Sequence, residues 1–242
     1  MTGRFRDQAA VVTGAAGGIG RATARRLVRV GASVLGGVVL GAELDETAAL
    51  IAGDDAPDAI VAACRDAFAG LDILVNNAGI GGRIAVDDLS DGDWDRVLDT
   101  NLRSVFRLTR AALAAVAVPG GCIVNFASVF GLVGFPGSAA YGVAKAGVAQ
   151  LTRQMAADYA PHGIRVNAVA PGVIDTPMTA KNIRQDAWYQ RAMIETTPLG
   201  IGRPDDIAGA GAFPCSDDAR FIAGEVLTVD GGWMATRYLP PD

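Results

Sequence analysis

The chain has 242 residues, half of them hydrophobic and 19% charged, which suits one large domain spanning residues 1–242 with a substantial core. Its net charge of -5 and its lack of any Lys/Arg cluster exclude a nucleic-acid surface. Cys64, Cys122 and Cys215 lie far apart at no metal-ligand spacing, so no metal site is expected, and with no signal peptide they point to a reducing cytoplasm.

The first element is a short apolar strand, Gln8–Val12, running into Thr13-Gly14-Ala15-Ala16-Gly17-Gly18-Ile19-Gly20 and then into a helix. That helix offers Ala22, Leu27 and Val30 to a core and has Gly31 just past its end. A helix N-terminus carries about half a positive charge and free N–H groups, and Gly14, Gly18 and Gly20 permit close backbone approach, so the turn predicts a dinucleotide pyrophosphate site. Two runs compete for the second strand, Ser33–Gly37 and Val38–Ala42. The second is favoured because a buried parallel strand calls for consecutive large apolar residues. Glu43 would then close the strand, accept from the adenosine ribose and oppose a 2′-phosphate, unless it is merely a solvated loop charge. Leu50–Gly53 reads as a short third strand ending at Asp54, within reach of the adenine.

An Ala-rich helix over Asp58–Ala69 leads to a buried strand from Leu71 and to Asn76-Asn77-Ala78-Gly79, polar residues placed where a doubly wound sheet opens its ligand crevice. Asp91-Gly92-Asp93 caps a long helix to about Val116, with Asn101 inside its apolar pattern. Ala111–Ala144 contains no charge, yet Pro119, Gly120, Gly121 and the Gly/Pro loop that follows break it, so it reads as a core strand and an active-site loop and no membrane span is expected.

Asn125–Lys145 carries the chemistry: an apolar strand ending near Ser128, a Gly/Pro-broken loop, then Tyr141 and Lys145 on a helix over Ala139–Tyr159. Residues i and i+4 share a helix face, which brings the ammonium near the phenol. A tyrosine titrates near pH ~10, and a positive charge at ~4 Å with an effective dielectric of ~20 lowers that by about three units, towards neutral exchange of a proton. Ser128 can donate to a carbonyl or alkoxide oxygen. Ile164–Ala170 is the next strand, followed by Pro171-Gly172-Val173-Ile174-Asp175-Thr176, a mixed polar and aromatic cover over residues 178–200, and a last strand over Phe221–Val229 before Asp230-Gly231-Gly232. Pro214 predicts that the helix before it stops early.

Taken together these motifs resemble the short-chain dehydrogenase/reductase family over essentially the whole length. The resemblance implies an α/β fold, a single-domain Rossmann-type doubly wound parallel sheet with helices on both faces, binding NAD(H) or NADP(H). It implies reversible hydride transfer between the nicotinamide and a secondary alcohol or ketone, with Tyr141 as general acid/base, Lys145 acting on Tyr141 and the nicotinamide ribose, Ser128 donating to the substrate oxygen and Asn101 holding a proton-relay water. The cofactor set it implies is Gly14, Gly18, Ile19, Gly20, Asn77, Ala78, Gly79, Tyr141, Lys145, Pro171, Gly172, Val173, Ile174 and Thr176, with Glu43 and Asp54 on the adenosine side. Glu43 favours NAD(H) over NADP(H). The segment from Glu43 to Leu71 is shorter than the family pattern, and this bears on the adenine half. A homotetramer is expected, pairing the helices around Asp93–Val116 and Ala139–Tyr159. The alternatives are an NADPH-dependent 3-oxoacyl-thioester reductase and a non-catalytic dinucleotide-binding relative.

Overall fold

Ala9–Thr13 (β1) is a run of small and β-branched residues buried throughout, the composition of a parallel strand covered on both faces. In this computed structural model, which describes residues 4–37, 55–236 and 238, β1 passes through the glycine turn into α1, Gly18–Arg29. Gly31 reverses the chain at φ 111°, and the Ser33 amide donates to the Gln8 carbonyl at 2.9 Å. Strand β2 therefore begins at once, as Ser33–Gly37, paired residue for residue with Ala9–Thr13. The strand paired with β1 is thus the run that the sequence favoured less, and Val38–Ala42 lies outside the described residues. Apolarity argued for the later run, but the short return loop delivers Ser33 beside Ala9, and the five residues of β1 are then all partnered. Glu43, Asp54 and the expected strand Leu50–Gly53 lie outside the described residues.

The chain continues through α2 (Ala56–Phe68), β3 (Ile73–Asn76), α3 (Asp91–Leu98), α4 (Ser104–Ala112), β4 (Cys122–Phe126), α5 (Ala139–Tyr159), β5 (Arg165–Pro171), α6 (Ala180–Gln185), α7 (Pro204–Ala212) and β6 (Val226–Val229). Among the described residues the strands form one parallel sheet in the order β2-β1-β3-β4-β5-β6. From β1 the chain moves to β2 on one side and then crosses to β3 on the other. The order reverses between β1 and β3, which opens a crevice at the strands' carboxyl ends.

Alternate strand residues face opposite layers. Ala10, Val12, Val75 and Val124 pack with Leu27 of α1 and Ile207 of α7, while Ala9, Val11, Leu74 and Ile123 pack with Leu108 of α4 and Met155 of α5. The helix expected from Asp91 is not continuous: a π-type turn over Asp99–Arg103 separates α3 from α4. Helix α7 stops at Ala212 before Pro214, as expected, whereas β6 is shorter than expected because Phe221 is fully exposed and Gly224 takes φ 77°. Among the described residues no helix is long and apolar enough to cross a membrane. The uncharged run divides among the end of α4, β4, a loop and the start of α5.

Candidate active site

The glycine turn packs against the end of β3. The Thr13 hydroxyl accepts from the Asn77 and Ala78 amides, each at 3.0 Å, and the Asn77 side chain donates to the Thr13 carbonyl at 2.9 Å. A Cβ at Gly20 would come within 2.3 Å of the Gly14 carbonyl oxygen and 2.4 Å of Asn77 Nδ2, so only glycine permits this closeness of α1 to both turns. At the helix N-terminus Gly17 supplies no side-chain cap and the first turn holds no acidic residue, which leaves backbone N–H groups open to an anion. Arg21 turns its guanidinium back onto the Ala16 carbonyl.

A cleft of about 370 Å³ runs from this turn to the ends of β4 and β5. It is lined by Gly14, Gly18, Ile19, Gly20, Asn77, Ala78, Gly79, Asn101, Ser128, Tyr141, Lys145, Pro171, Gly172, Ile174 and Thr176. These residues, separated in sequence, are thus brought together as anticipated. Val173 is not among them, because its side chain packs with Tyr189 and Met193 beneath the cover. Ala16, Gly17, Phe126, Ala127, Met178 and Thr179 also line the cleft and were not anticipated. Gly17 and Ala16 could have been found from the turn itself, whereas Met178 and Thr179 arrive through the cover's path. An open glycine cradle at an uncapped helix N-terminus, leading to Ser128, Tyr141 and Lys145, fits a dinucleotide.

Ser128 follows β4, and its Oγ accepts from the Phe130 amide at 3.2 Å in the helical turn that redirects the chain towards α5. Helix α5 then sets Tyr141 and Lys145 one turn apart. Lys145 Nζ donates to the Phe126 carbonyl at 2.7 Å and lies 5.8 Å from the Tyr141 ring centroid. Burial brings the Lys145 ammonium down from its ordinary value of 10.5 to about 8. Burial also pushes the Tyr141 phenol up, and a hydrogen bond from Ser128 opposes that rise. The phenol near neutrality expected from Lys145 is therefore not found in the protein alone, because desolvation of the phenolate is the largest influence on it. Asn101 is completely buried on the π-type turn: its Nδ2 donates to the Val97 and Ile80 carbonyls at 3.0 and 3.1 Å, and its Oδ1 accepts from the Ile80 amide at 3.1 Å. A Cβ at Gly79 would stand 2.4 Å from that oxygen. Asn101 thus clamps the turn that borders Lys145.

A second hollow of about 390 Å³ opens from Ser128 and Tyr141 towards Ile80, Phe130, Met178, Tyr189 and Met193. Phe130, Tyr141 and Tyr189 give its wall three rings and Arg83, Thr179, Lys181 and Asn182 its polar part, while behind the rings Phe130 stacks on Phe135 at 4.2 Å and Phe135 meets Trp188, Tyr189 and Trp233 at 5.4, 6.3 and 6.2 Å. Burial and then the neighbouring Tyr141 push the Tyr189 phenol up to about 12, which keeps it neutral at physiological pH.

Below the site runs a buried polar chain that sequence patterning missed. Asn76 donates to Asn125 at 2.8 Å and to Thr109 at 3.1 Å, and Asn125 donates to Thr152 of α5 at 2.9 Å. Both asparagines were visible as polar residues in apolar strands, but only the register that sets Asn76 beside Asn125 joins them.

A family model described as "Enoyl-(Acyl carrier protein) reductase" matches residues 14–234. The chain is 42% identical to a cis-4-hydroxycyclohexanecarboxylate dehydrogenase from Sinomonas cyclohexanicum, covering 96% of this chain and 98% of that one. It is 40% identical to a 3-oxoacyl-[acyl-carrier-protein] reductase FabG from Vibrio cholerae, over 92% and 96%. Among solved structures, one of a Brucella melitensis protein described as a short-chain dehydrogenase/reductase, glucose/ribitol dehydrogenase, superposes with a TM-score of 0.87 at 34% identity, covering 96% of this chain and 99% of that one.

Proposed function

The chain belongs to the short-chain dehydrogenase/reductase family, and from that premise we propose that Ser128, Tyr141, Lys145 and Asn101 are the working groups of an NAD(P)-dependent alcohol dehydrogenase or ketone reductase. The observation that carries this reading is that Ser128 and Tyr141 line both the cradle cleft and the aromatic hollow, at the meeting point of the two, with Lys145 one helical turn from Tyr141.

The glycine turn and the α1 N-terminus hold the pyrophosphate, and Asn77–Gly79, Pro171, Gly172, Ile174 and Thr176 flank the rest of the cofactor. A nicotinamide cofactor held there would supply the hydride acceptor for an alcohol and the hydride donor for a ketone. Ser128 donates to the substrate oxygen and orients it against Tyr141. Tyr141 takes the hydroxyl proton in oxidation and gives it back in reduction. The Lys145 ammonium, protonated at neutral pH, favours the phenolate and binds the nicotinamide ribose. Asn101 holds the Ile80 turn in place and serves the relay water that returns the proton to solvent.

An aromatic and methionine-lined hollow suits a compact carbocycle, and a relative acting on a hydroxycyclohexanecarboxylate supports the same substrate class. The similarity to a 3-oxoacyl-thioester reductase keeps that activity as the second reading. The cofactor is NAD(H). With β2 at Ser33–Gly37, the argument from Glu43 at a strand end no longer applies, but residues 32–63 contain no Lys or Arg and several carboxylates, so a 2′-phosphate would have only Arg21, turned onto the Ala16 carbonyl, or Arg65 to pair with. The assembly is a homotetramer, and three buried free thiols suit a reducing cytoplasm.

Nicotinamide absorbance with cyclohexanol and NAD, or cyclohexanone and NADH, tests the reading. Turnover that prefers NADH and disappears in Tyr141→Phe is expected. No turnover of any alicyclic or acyclic secondary alcohol or ketone, or an undiminished Tyr141→Phe enzyme, would overturn it.

A further inference from the structure

Arg83 lies on the segment that follows β3, and that segment is anchored, since Ile84 bridges Ser138 at the threshold of α5. From this fixed base Arg83, itself part of the hollow's lining, reaches the cover with its guanidinium. Its Nη1 donates to Asp186 Oδ2 at 2.6 Å, with each side chain about one-third exposed at 32%. The same guanidinium lies 4.8 Å from the Trp188 ring centroid and 6.0 Å from that of Tyr189. Asp186 in turn accepts from the Tyr189 amide at 2.9 Å, so one carboxylate both caps this turn of the cover and receives Arg83. That amide, and then Arg83, hold the Asp186 carboxyl below its ordinary range, which keeps it charged at neutral pH.

We propose that Arg83 is a positioning residue that sets substrate specificity: it latches the cover over the hollow and thereby fixes the Tyr189 and Phe130 wall against which the body of a ring substrate rests. The latch acts through rings in mutual contact. Trp188 and Tyr189 bear on Phe135, Phe135 stacks on Phe130, and Phe130 meets Tyr141 edge to face at 6.5 Å. A carbocycle held at its carbonyl by Ser128 and Tyr141 needs that wall for its far side. A three-carbon ketone does not reach it.

The inference rests on the secondary-alcohol reading of the Tyr141 site, so one measurement is independent of turnover. Limited tryptic digestion, read by mass spectrometry, follows cleavage at Lys181, Arg184 and Arg191 of the cover. Arg83→Ala should speed cleavage there several-fold. In kinetics it should raise KM for cyclohexanone about tenfold, the combined loss of a partly exposed ion pair and a cation–π contact, while kcat stays within about twofold. KM for acetone and the NADH dissociation constant should hardly move. Arg83→Lys should restore part of the effect, and the exchanged pair Arg83→Asp with Asp186→Arg should restore more than either single change. Unchanged digestion of Arg83→Ala, an equal rise in KM for both ketones, or a loss confined to kcat would overturn the proposal. If the wild type reduces no ketone, the catalytic reading fails and the digestion rates alone decide on the latch.

Discussion

Tyr141 and Lys145 pull the chemistry of the site in opposite directions until substrate and cofactor arrive. Burial makes the phenol harder to ionise and the ammonium easier to neutralise, so each group stands ready to give up or receive charge when a partner compensates it. Tyr141→Phe keeps the ring contact with Phe130 but removes the transferable proton. Turnover should fall about a thousandfold, with NADH still quenching Trp fluorescence. A fall smaller than about tenfold would remove Tyr141 from the acid/base role. Lys145 makes a prediction about stability. Its pKa is about 8 in the folded chain against 10.5 ordinarily, so between these values the unfolded chain binds a proton that the folded chain does not. The Lys145 contribution to stability therefore rises with pH across that window, by up to about 1.4 kcal/mol per pH unit, and is flat below it, while the raised thiols and phenols oppose it above about pH 9, so the difference between wild type and Lys145→Met isolates it. Urea melts without cofactor should show that the stability difference between wild type and Lys145→Met grows with pH between about 8 and 10.5. An identical pH profile in both proteins would refute the buried-ammonium account.

At the scale of elements, the glycine turn separates fold from binding. Gly20→Ala places a methyl 2.3 Å from the Gly14 carbonyl oxygen, so α1 must move away from β1 and β3. Both stability and cofactor binding should be lost. Gly17 has extended backbone and nothing within 4 Å of a Cβ, yet it lines the cleft. Gly17→Ala should melt within about 0.5 kcal/mol of wild type, as surface changes do, and still bind NADH more weakly. Paired melts and fluorescence titrations check this, and equal affinity for NADH in Gly17→Ala would mean that the pyrophosphate does not lie on this turn. The turn was legible because Thr13–Gly20 follows an apolar strand. The break between α3 and α4 was not legible: a π-type turn leaves an apolar pattern nearly unchanged while it re-aims Asn101 towards Ile80.

For the whole molecule, helices α4 and α5 leave Phe106 and Val143 exposed at 47% and 49%. Apolar side chains on the helices expected to pair support the proposed tetramer. Light scattering at micromolar concentration should give four times the monomer mass of 24.8 kDa. Phe106→Glu combined with Val143→Glu should reduce it. A wild-type monomer would show that these faces are not interfaces.

Local chemistry was enough to recognise the α1 turn, the Tyr141–Lys145 spacing and the strand ends that carry Asn77 and Ser128. Each depends on residues close in sequence, and the periodicities of helix and strand turn such spacing directly into a shared face or a shared end. Tertiary structure alone decided the rest. Strand β2 was set by its ladder with β1 rather than by its own apolarity. The Asn76–Asn125–Thr152 chain needed three elements in register, and the Arg83–Asp186 latch joins residues 103 positions apart. The Tyr141 phenol was raised because burial, which sequence spacing does not measure, outweighs the Ser128 hydroxyl that opposes it.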